Sequence, residues 1–411
     1  MNQTITELPG GVCAPLGFTA SGIHCGIRRN TSKNDLALLL SDVPAAAAAV
    51  YTQNLVKGAP LLVTQAHLQN GVAQAMICNS GNANTCNADG IEIAEAMCAL
   101  VRDHTGVAAE DVVVASTGVI GAPLPLRPIQ EGMAALAAGL SRDGAAAARA
   151  IMTTDTYPKE CAVEFPLGGK PCRMGCMAKG SGMIEPNMAT MLAFLTTDAA
   201  IDSALLAKAL KQEVAETLNM ISIDGDTSTN DMCCILANGL AGNEKLVDQN
   251  PAQAVDYEMF CRALHYLLVK TAKMLAGDGE GATKLLTCRV TGAQSLADAR
   301  LAAKGVISSS LFKAAMFGAD ANWGRVLCAL GYSGAAFDPA RVSVSFSSRA
   351  GRVALCENGA SLPFSEELAA QVLGEREIAI EICLGGGAAG ATAWGCDLTY
   401  DYVKINGDYR S

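Results

Sequence analysis

The sequence predicts an α/β protein with extensive sheet. Three observations carry this. In the first half, a segment of helical period is followed by an apolar β-prone run: Met97, Cys98 and Val101 share one helical face within Ala94–His104, and "DVVVAS" follows as a buried strand. Further on, Leu206, Leu210, Val214 and Leu218 recur every four residues. In the last third the period drops to two, with Val342, Val344, Phe346 and then Ile378, Ile380, Ile382 alternating along extended runs.

The elements are justified in chain order as follows. The strand of "DVVVAS" is expected to end in the turn Ser116-Thr117-Gly118. Two Ala-rich helices are expected near 129–140 and 145–152. Asp202 or Ser203 is placed to cap the helix that carries the leucine repeat. Asn250-Pro251 opens another helix, and Gly277 closes it. A chain of 411 residues exceeds one simple core and fits two packed subdomains.

Composition narrows the function class. Half the residues are apolar and 17% are charged, so the chain can bury a large core and disorder is not expected. The net charge is −10 and no basic run occurs, which argues against nucleic acid as a partner. The 16 cysteines include no CxxC pair. Cys78 and Cys356 sit at the ends of apolar runs, as buried reduced thiols of a cytoplasmic protein would. The four histidines lack metal-ligand spacing, and no metal site is expected. "MNQTITELPGG" lacks the apolar stretch of a secretory signal, and no run of about 18 apolar residues predicts a membrane span.

The densest punctuation lies between Met177 and Ile201. Lys179-Gly180-Ser181-Gly182 is expected as a flexible turn and Pro186-Asn187 as a second. The run from Met188 to Asp198 is apolar and β-prone, which sets Thr190 near the mouth of a buried strand. A threonine hydroxyl is a poor nucleophile without a base. Once threonine is N-terminal, its own α-amine supplies one, with a reference pKa of about 7.7–8.0. Attack of Thr190 on the Ala189 carbonyl gives an ester by N→O shift, and its hydrolysis exposes that amine.

The segment "KGSGMIEPNMATMLAF" resembles the cleavage motif of the glutamate N-acetyltransferase (ornithine acetyltransferase) family. The resemblance runs through "AAAAAVYTQN", "CNSGNANTCNADG", "STGVIG", "IMTTDTYPK", "SIDGDTSTND", "GDGEGATK" and "GADANWGRV", and ends at "GATAWGCDLTYDYVKINGDYRS". It implies a layered α/β sandwich with an N-terminal-nucleophile type of self-processing. It also implies a cut between Ala189 and Thr190 into chains 1–189 and 190–411, which stay associated, with two copies of each in the assembly.

The resemblance further implies that Thr190 takes the acetyl group from N2-acetylornithine and passes it to glutamate. Thr117 and Gly118 match the family's oxyanion hole. Thr153, Lys179, Thr190, Glu280, Asn406 and Ser411 match its substrate contacts, with the adjacent Thr154 left open as an alternative to Thr153. No resident cofactor is expected; acetyl-CoA stays open as a co-substrate. Asp224 and Asp226 lack the EF-hand spacing and are expected in a turn supporting the site. Asn79, Asn82 and Asn84 are expected to hydrogen-bond loop backbone. Two alternatives remain at this point: an aminopeptidase or amidase of related architecture that passes the acyl group to water, and a non-catalytic binding protein that keeps the fold.

Overall fold

The computed structural model of the chain describes residues 4–185, 191–248 and 250–408. Its strands, in chain order, are β1 (Thr6–Leu8), β2 (Phe18–Ile23), β3 (Leu36–Tyr51), β4 (Val72–Asn82), β5 (Val112–Val119), β6 (Lys159–Leu167), β7 (Lys170–Lys179) and β8 (Leu192–Thr197). There follow β9 (Ile221–Ser222), β10 (Met232–Ala237), β11 (Leu285–Ala293), β12 (Ser343–Ser348), β13 (Gly351–Glu357), β14 (Ala360–Ser361), β15 (Glu377–Cys383) and β16 (Ala389–Cys396). Among the described residues these strands make two sheets, one in each of two compact units.

The first unit comprises Met1–Gly180, Asn187–Ala215 and Thr227–Thr271. Its sheet runs β1-β6-β7-β8-β10-β3-β4-β5, with β2 also paired to β3. The neighbours are antiparallel except β8 with β10 and β4 with β5, which are parallel. Every residue of β8 and β10 is buried, as a parallel pair covered on both faces must be. That accounts for the apolar runs "LAFLTT" and "MCCILA" having no alternation. Met76, Cys78, Val113, Phe194 and Cys234 belong to the core on one side; Ile77, Met97, Val101, Val114 and Met133 belong to that on the other.

Small residues make this packing close. The Ala-rich helix Ala145–Ala150 lies against β2, where a Cβ on Gly22 would stand 2.1 Å from the Ala146 carbonyl oxygen. Any larger residue there would push the helix off the sheet.

The second unit comprises Ser181–Pro186, Glu216–Asp226 and Ala272–Ser411, with a sheet in the order β14-β13-β12-β15-β11-β16-β9. The helix Leu296–Ser308 packs on β11 and β16. Its buried Ala299, Ala302, Ala303 and Val306 keep the helical period that builds one apolar face.

The α/β class and most elements follow the sequence reading. The helices near 129–140 and 145–152 span Leu126–Ala138 and Ala145–Ala150. The leucine-repeat helix spans Ser203–Glu216, with Asp202 Oδ1 accepting from the Ala204 amide at 3.0 Å. The long helix runs Ala254–Gly277, after a short turn in which Asn250 caps the Ala252 amide.

Two expectations need correction. Ser116-Thr117-Gly118 is not a turn: β5 continues through it to Val119, because Gly118 holds a positive φ of 133° without leaving the ladder. Lys179 is not in a flexible turn either; it is the last residue of β7 and is buried. The sixteen cysteines are free thiols, and eleven are buried. Among the described residues no helix is long and apolar enough to cross a membrane.

Candidate active site

In the first unit, β7 ends on Lys179 and β5 carries Thr117 and Gly118 just before its last residue. Thr117 and Gly118 stand opposite Ser80 and Gly81 of β4, where the register breaks at Asn82. A Cβ on Gly118 would lie 2.4 Å from the Gly81 carbonyl carbon and 2.6 Å from the Asn82 nitrogen. No other residue fits there without moving β4. The asparagines of "CNSGNAN" secure this corner as expected: Asn79 donates to the Asn82 carbonyl, Asn82 to Ala122 and Pro123, and Asn84 to Gly90. Asn230 adds two bonds the sequence reading missed, donating to the Ala83 carbonyl at 2.6 Å and to the Ser116 carbonyl at 3.0 Å.

Lys179 Nζ donates to Thr117 Oγ1 at 3.3 Å. Because that oxygen is accepting, the Thr117 hydroxyl proton is left for another acceptor. Burial lowers the Lys179 pKa, opposed by the charges of Asp155 and Asp231. Asp155 Oδ1 accepts from Lys159 Nζ at 2.6 Å and the Gly180 amide at 2.7 Å, and Oδ2 accepts from the Thr153 amide at 2.9 Å. Thr153 and the end of β7 are therefore tied to one carboxylate. Burial pushes Asp155 up, but Lys159, Lys179 and these hydrogen bonds outweigh it and hold the group at about 2.

A stability prediction arises here. Lys159 is fully buried and its ammonium pairs with Asp155. Asp155→Asn removes the carboxylate that holds that cation at 2.6 Å, with an expected cost of about 3–5 kcal/mol, read as a lower denaturation midpoint in urea. The sign with pH follows from a depressed folded value. The Asp155 contribution is complete above its ordinary value of 3.8 and is lost as pH falls from there toward 2. Asp155→Asn should flatten the acid limb of a stability profile over that range.

In the second unit, Glu280 follows the end of the long helix and is buried. Its amide donates to the Ser181 carbonyl at 2.8 Å, and Asn406 Nδ2 donates to its Oε2 at 2.7 Å. Among the described residues Oε1 takes no hydrogen bond, so the carboxylate keeps capacity for a cation. Two glycines make room: a Cβ on Gly182 would meet the Glu280 carboxylate at 2.5 Å, and one on Gly281 (φ +71°) would meet the Tyr402 nitrogen at 2.8 Å. Asp224 accepts from the Met183 and Ile184 amides and from the Tyr402 hydroxyl. It thus braces the chain on both sides of this carboxylate, in keeping with a supporting turn. Asp226 is raised by burial and by the charges of Asp224 and Glu185.

Of the predicted residues, Thr117, Gly118, Lys179 and the backbone of Thr153 come together in the first unit. Glu280 and Asn406 meet in the second. Ala189, Thr190 and Ser411 lie outside the described residues. Asp155, Lys159 and Asp231 were missed. The first two carry a signal, the spacing of four in "DTYPK", and Asp231 stands in the matched "STND". Among the described residues no cluster of three or more His, Cys, Asp or Glu is placed to hold a metal ion.

The model of the ArgJ family matches residues 19–411. The chain belongs to the ArgJ family. It is similar over 407 residues, at 53% identity, to the arginine biosynthesis bifunctional protein ArgJ of Symbiobacterium thermophilum, covering 98% of this chain and 99% of that one. It is 50% identical over 412 residues to ArgJ 1 of Clostridium acetobutylicum, covering 100% and 98%. A crystal structure of ArgJ from Bacillus halodurans is 43% identical with a TM-score of 0.48, covering 52% of this chain and 97% of that chain. With the ArgJ family the chain is an acyltransferase of arginine biosynthesis.

Proposed function

We propose that the protein moves an acetyl group from N2-acetylornithine to glutamate through an acetyl ester on Thr190. The chain first cuts itself between Ala189 and Thr190. The products, 1–189 and 190–411, stay associated, with two copies of each. The observation that supports this best is the pairing of Lys179 with Thr117 beside a glycine that admits no side chain. That corner offers a hydroxyl proton left available by the Lys179 contact.

Thr190 Oγ attacks the acetyl carbonyl while its α-amine takes the hydroxyl proton. The carbonyl oxygen gains the negative charge and is met by the Thr117 hydroxyl and the Gly118 amide. Collapse breaks the bond to the ornithine α-nitrogen, which receives the proton from the α-ammonium. Glutamate then attacks the ester in the same way, and Thr190 regains its proton. Lys179 receives a substrate carboxylate and Glu280 the side-chain ammonium, with Asn406 orienting that carboxylate. Thr153 and Ser411 complete the contacts. The reaction needs no resident cofactor, and the setting is the cytoplasm.

The deciding assay supplies N2-acetylornithine with and without glutamate. Ornithine release that depends on glutamate, with N-acetylglutamate formed in equal amount, supports transfer. Release to acetate at the same rate without glutamate overturns it in favour of hydrolysis. Glu280→Ala should raise KM for N2-acetylornithine by roughly thirtyfold or more, the usual cost of removing one partner of a buried charge pair. An unchanged KM takes Glu280 out of the site.

A further inference from the structure

The neighbourhood of Lys179 contains a second carboxyl group that the reaction above does not use. Asp231 immediately precedes β10 and is 3% exposed. Its Oδ2 has no hydrogen-bond partner among the described residues. Asp231 accepts from Ser228 and leaves Oδ2 bare, whereas in Asp155, of the same cluster, both oxygens accept and one holds an ammonium. A buried ionised carboxylate needs that kind of support, because leaving one lone-paired oxygen bare costs several kcal/mol. Asp155 is built to be an anion and Asp231 is not.

We propose that Asp231 works as a neutral, protonated carboxyl group, a positioning residue that leaves the Lys179 ammonium as the uncompensated charge for a substrate carboxylate. The charge count gives the reason. Among the described residues the groups whose charges act most on Lys179 are Asp155, Asp231, Lys159 and the Cys78 thiol. Cys78 is fully buried, and burial pushes it up to about 12, so it is uncharged. Asp155 is taken by Lys159 at 2.6 Å. Lys179 donates to a neutral hydroxyl, so among the described residues its charge is matched only if Asp231 ionises.

An ionised Asp231 would cancel the charge that draws a carboxylate ligand and stand as a like charge beside it. A neutral Asp231 leaves one net positive charge in a buried place. Burial drives Asp231 in that direction, well above the usual carboxylate range, against the pull of Lys179 and Ser228. Ligand carboxylate and Asp231 proton therefore favour each other's binding by the same factor.

That Lys179 receives the substrate carboxylate rests on the acetyl-transfer reading; the protonation state of Asp231 does not. The primary test is infrared spectroscopy of the mature wild-type protein near neutral pH, with aspartate carboxyl groups isotopically labelled, against Asp231→Asn. A neutral-carboxyl carbonyl band present in wild type and missing in the variant is expected. Its absence from wild type overturns the proposal, whether or not the variant folds and whether or not acetyl transfer is found.

The second readout is kinetic. Asparagine mimics the neutral acid, so Asp231→Asn should keep KM for N2-acetylornithine within about threefold of wild type. If Asp231 were instead ionised, Asp231→Asn would remove a like charge from beside the ligand carboxylate and lower KM by roughly thirtyfold or more, and the proposal would fall.

Discussion

Thr190→Ala should give a single uncut chain of 42.3 kDa with no acetyl transfer. Wild type should show two bands, dividing that mass in proportion to 189 and 222 residues at about 19 and 23 kDa, the larger beginning at Thr190. Alanine removes the hydroxyl that would attack the Ala189 carbonyl, so the α-amine is never released and no acyl ester forms. Losing a nucleophile that works as a unit with its base costs on the order of 10⁶ in turnover. Denaturing gel, intact mass and N-terminal sequencing read the first effect; ornithine release reads the second. A wild-type chain that remains single would remove the α-amine from the mechanism. Transfer retained in Thr190→Ala would remove the nucleophile.

Gly118→Ala should cut turnover steeply. The new Cβ would come within 2.4 Å of the Gly81 carbonyl carbon, which is main chain and cannot rotate aside. The φ of +133° also penalises any residue with a side chain. The strands β4 and β5 must part at this point, which displaces the Gly118 amide and the Thr117 hydroxyl together. Turnover should fall by about 10²–10³ for the lost oxyanion donor alone, with KM little changed, since the oxyanion exists only in the transition state. Gly121→Ala is the control: its φ is also positive, but no atom lies within 4 Å of the added carbon. If both variants turned over equally, the steric account of Gly118 would be wrong.

Much of this architecture was legible before the structure. Alternation at Val342, Val344 and Phe346 marks β12 because each second residue enters the core, and capping residues marked the helix starts within a few positions. The errors share a cause. Glycine punctuation at 118 and 180 was read as turns, because local sequence reports what the backbone is able to do, not what surrounds it. Gly118 is there because β4 passes too close for a Cβ, and Gly182 because Glu280 does. Both are tertiary reasons, invisible along a single strand. Burial of Lys179 was hidden for the same reason: its partners Thr117 and Asp155 are 62 and 24 residues away in sequence. Motif resemblance named candidate site residues that periodicity could not, but it passed over Asp231, whose interest lies in a bond it does not make.

The place of β8 and β10 in the first sheet has a consequence for how the molecule ages. Both strands lie downstream of Ala189, yet β8 is laddered to β7 and β10 to β3. A chain severed before Thr190 is therefore born as an assembled pair in one-to-one stoichiometry, without a diffusional search. Before the cut, an opened sheet closes again by a unimolecular step, with its lost strands tethered at high effective concentration. After the cut, strands that escape must be recaptured from solution, so refolding becomes dilution-sensitive. Maturation would thus trade reversible folding for a free amine, and the lifetime of the mature protein would be set by how slowly its sheet opens rather than by how readily it re-forms.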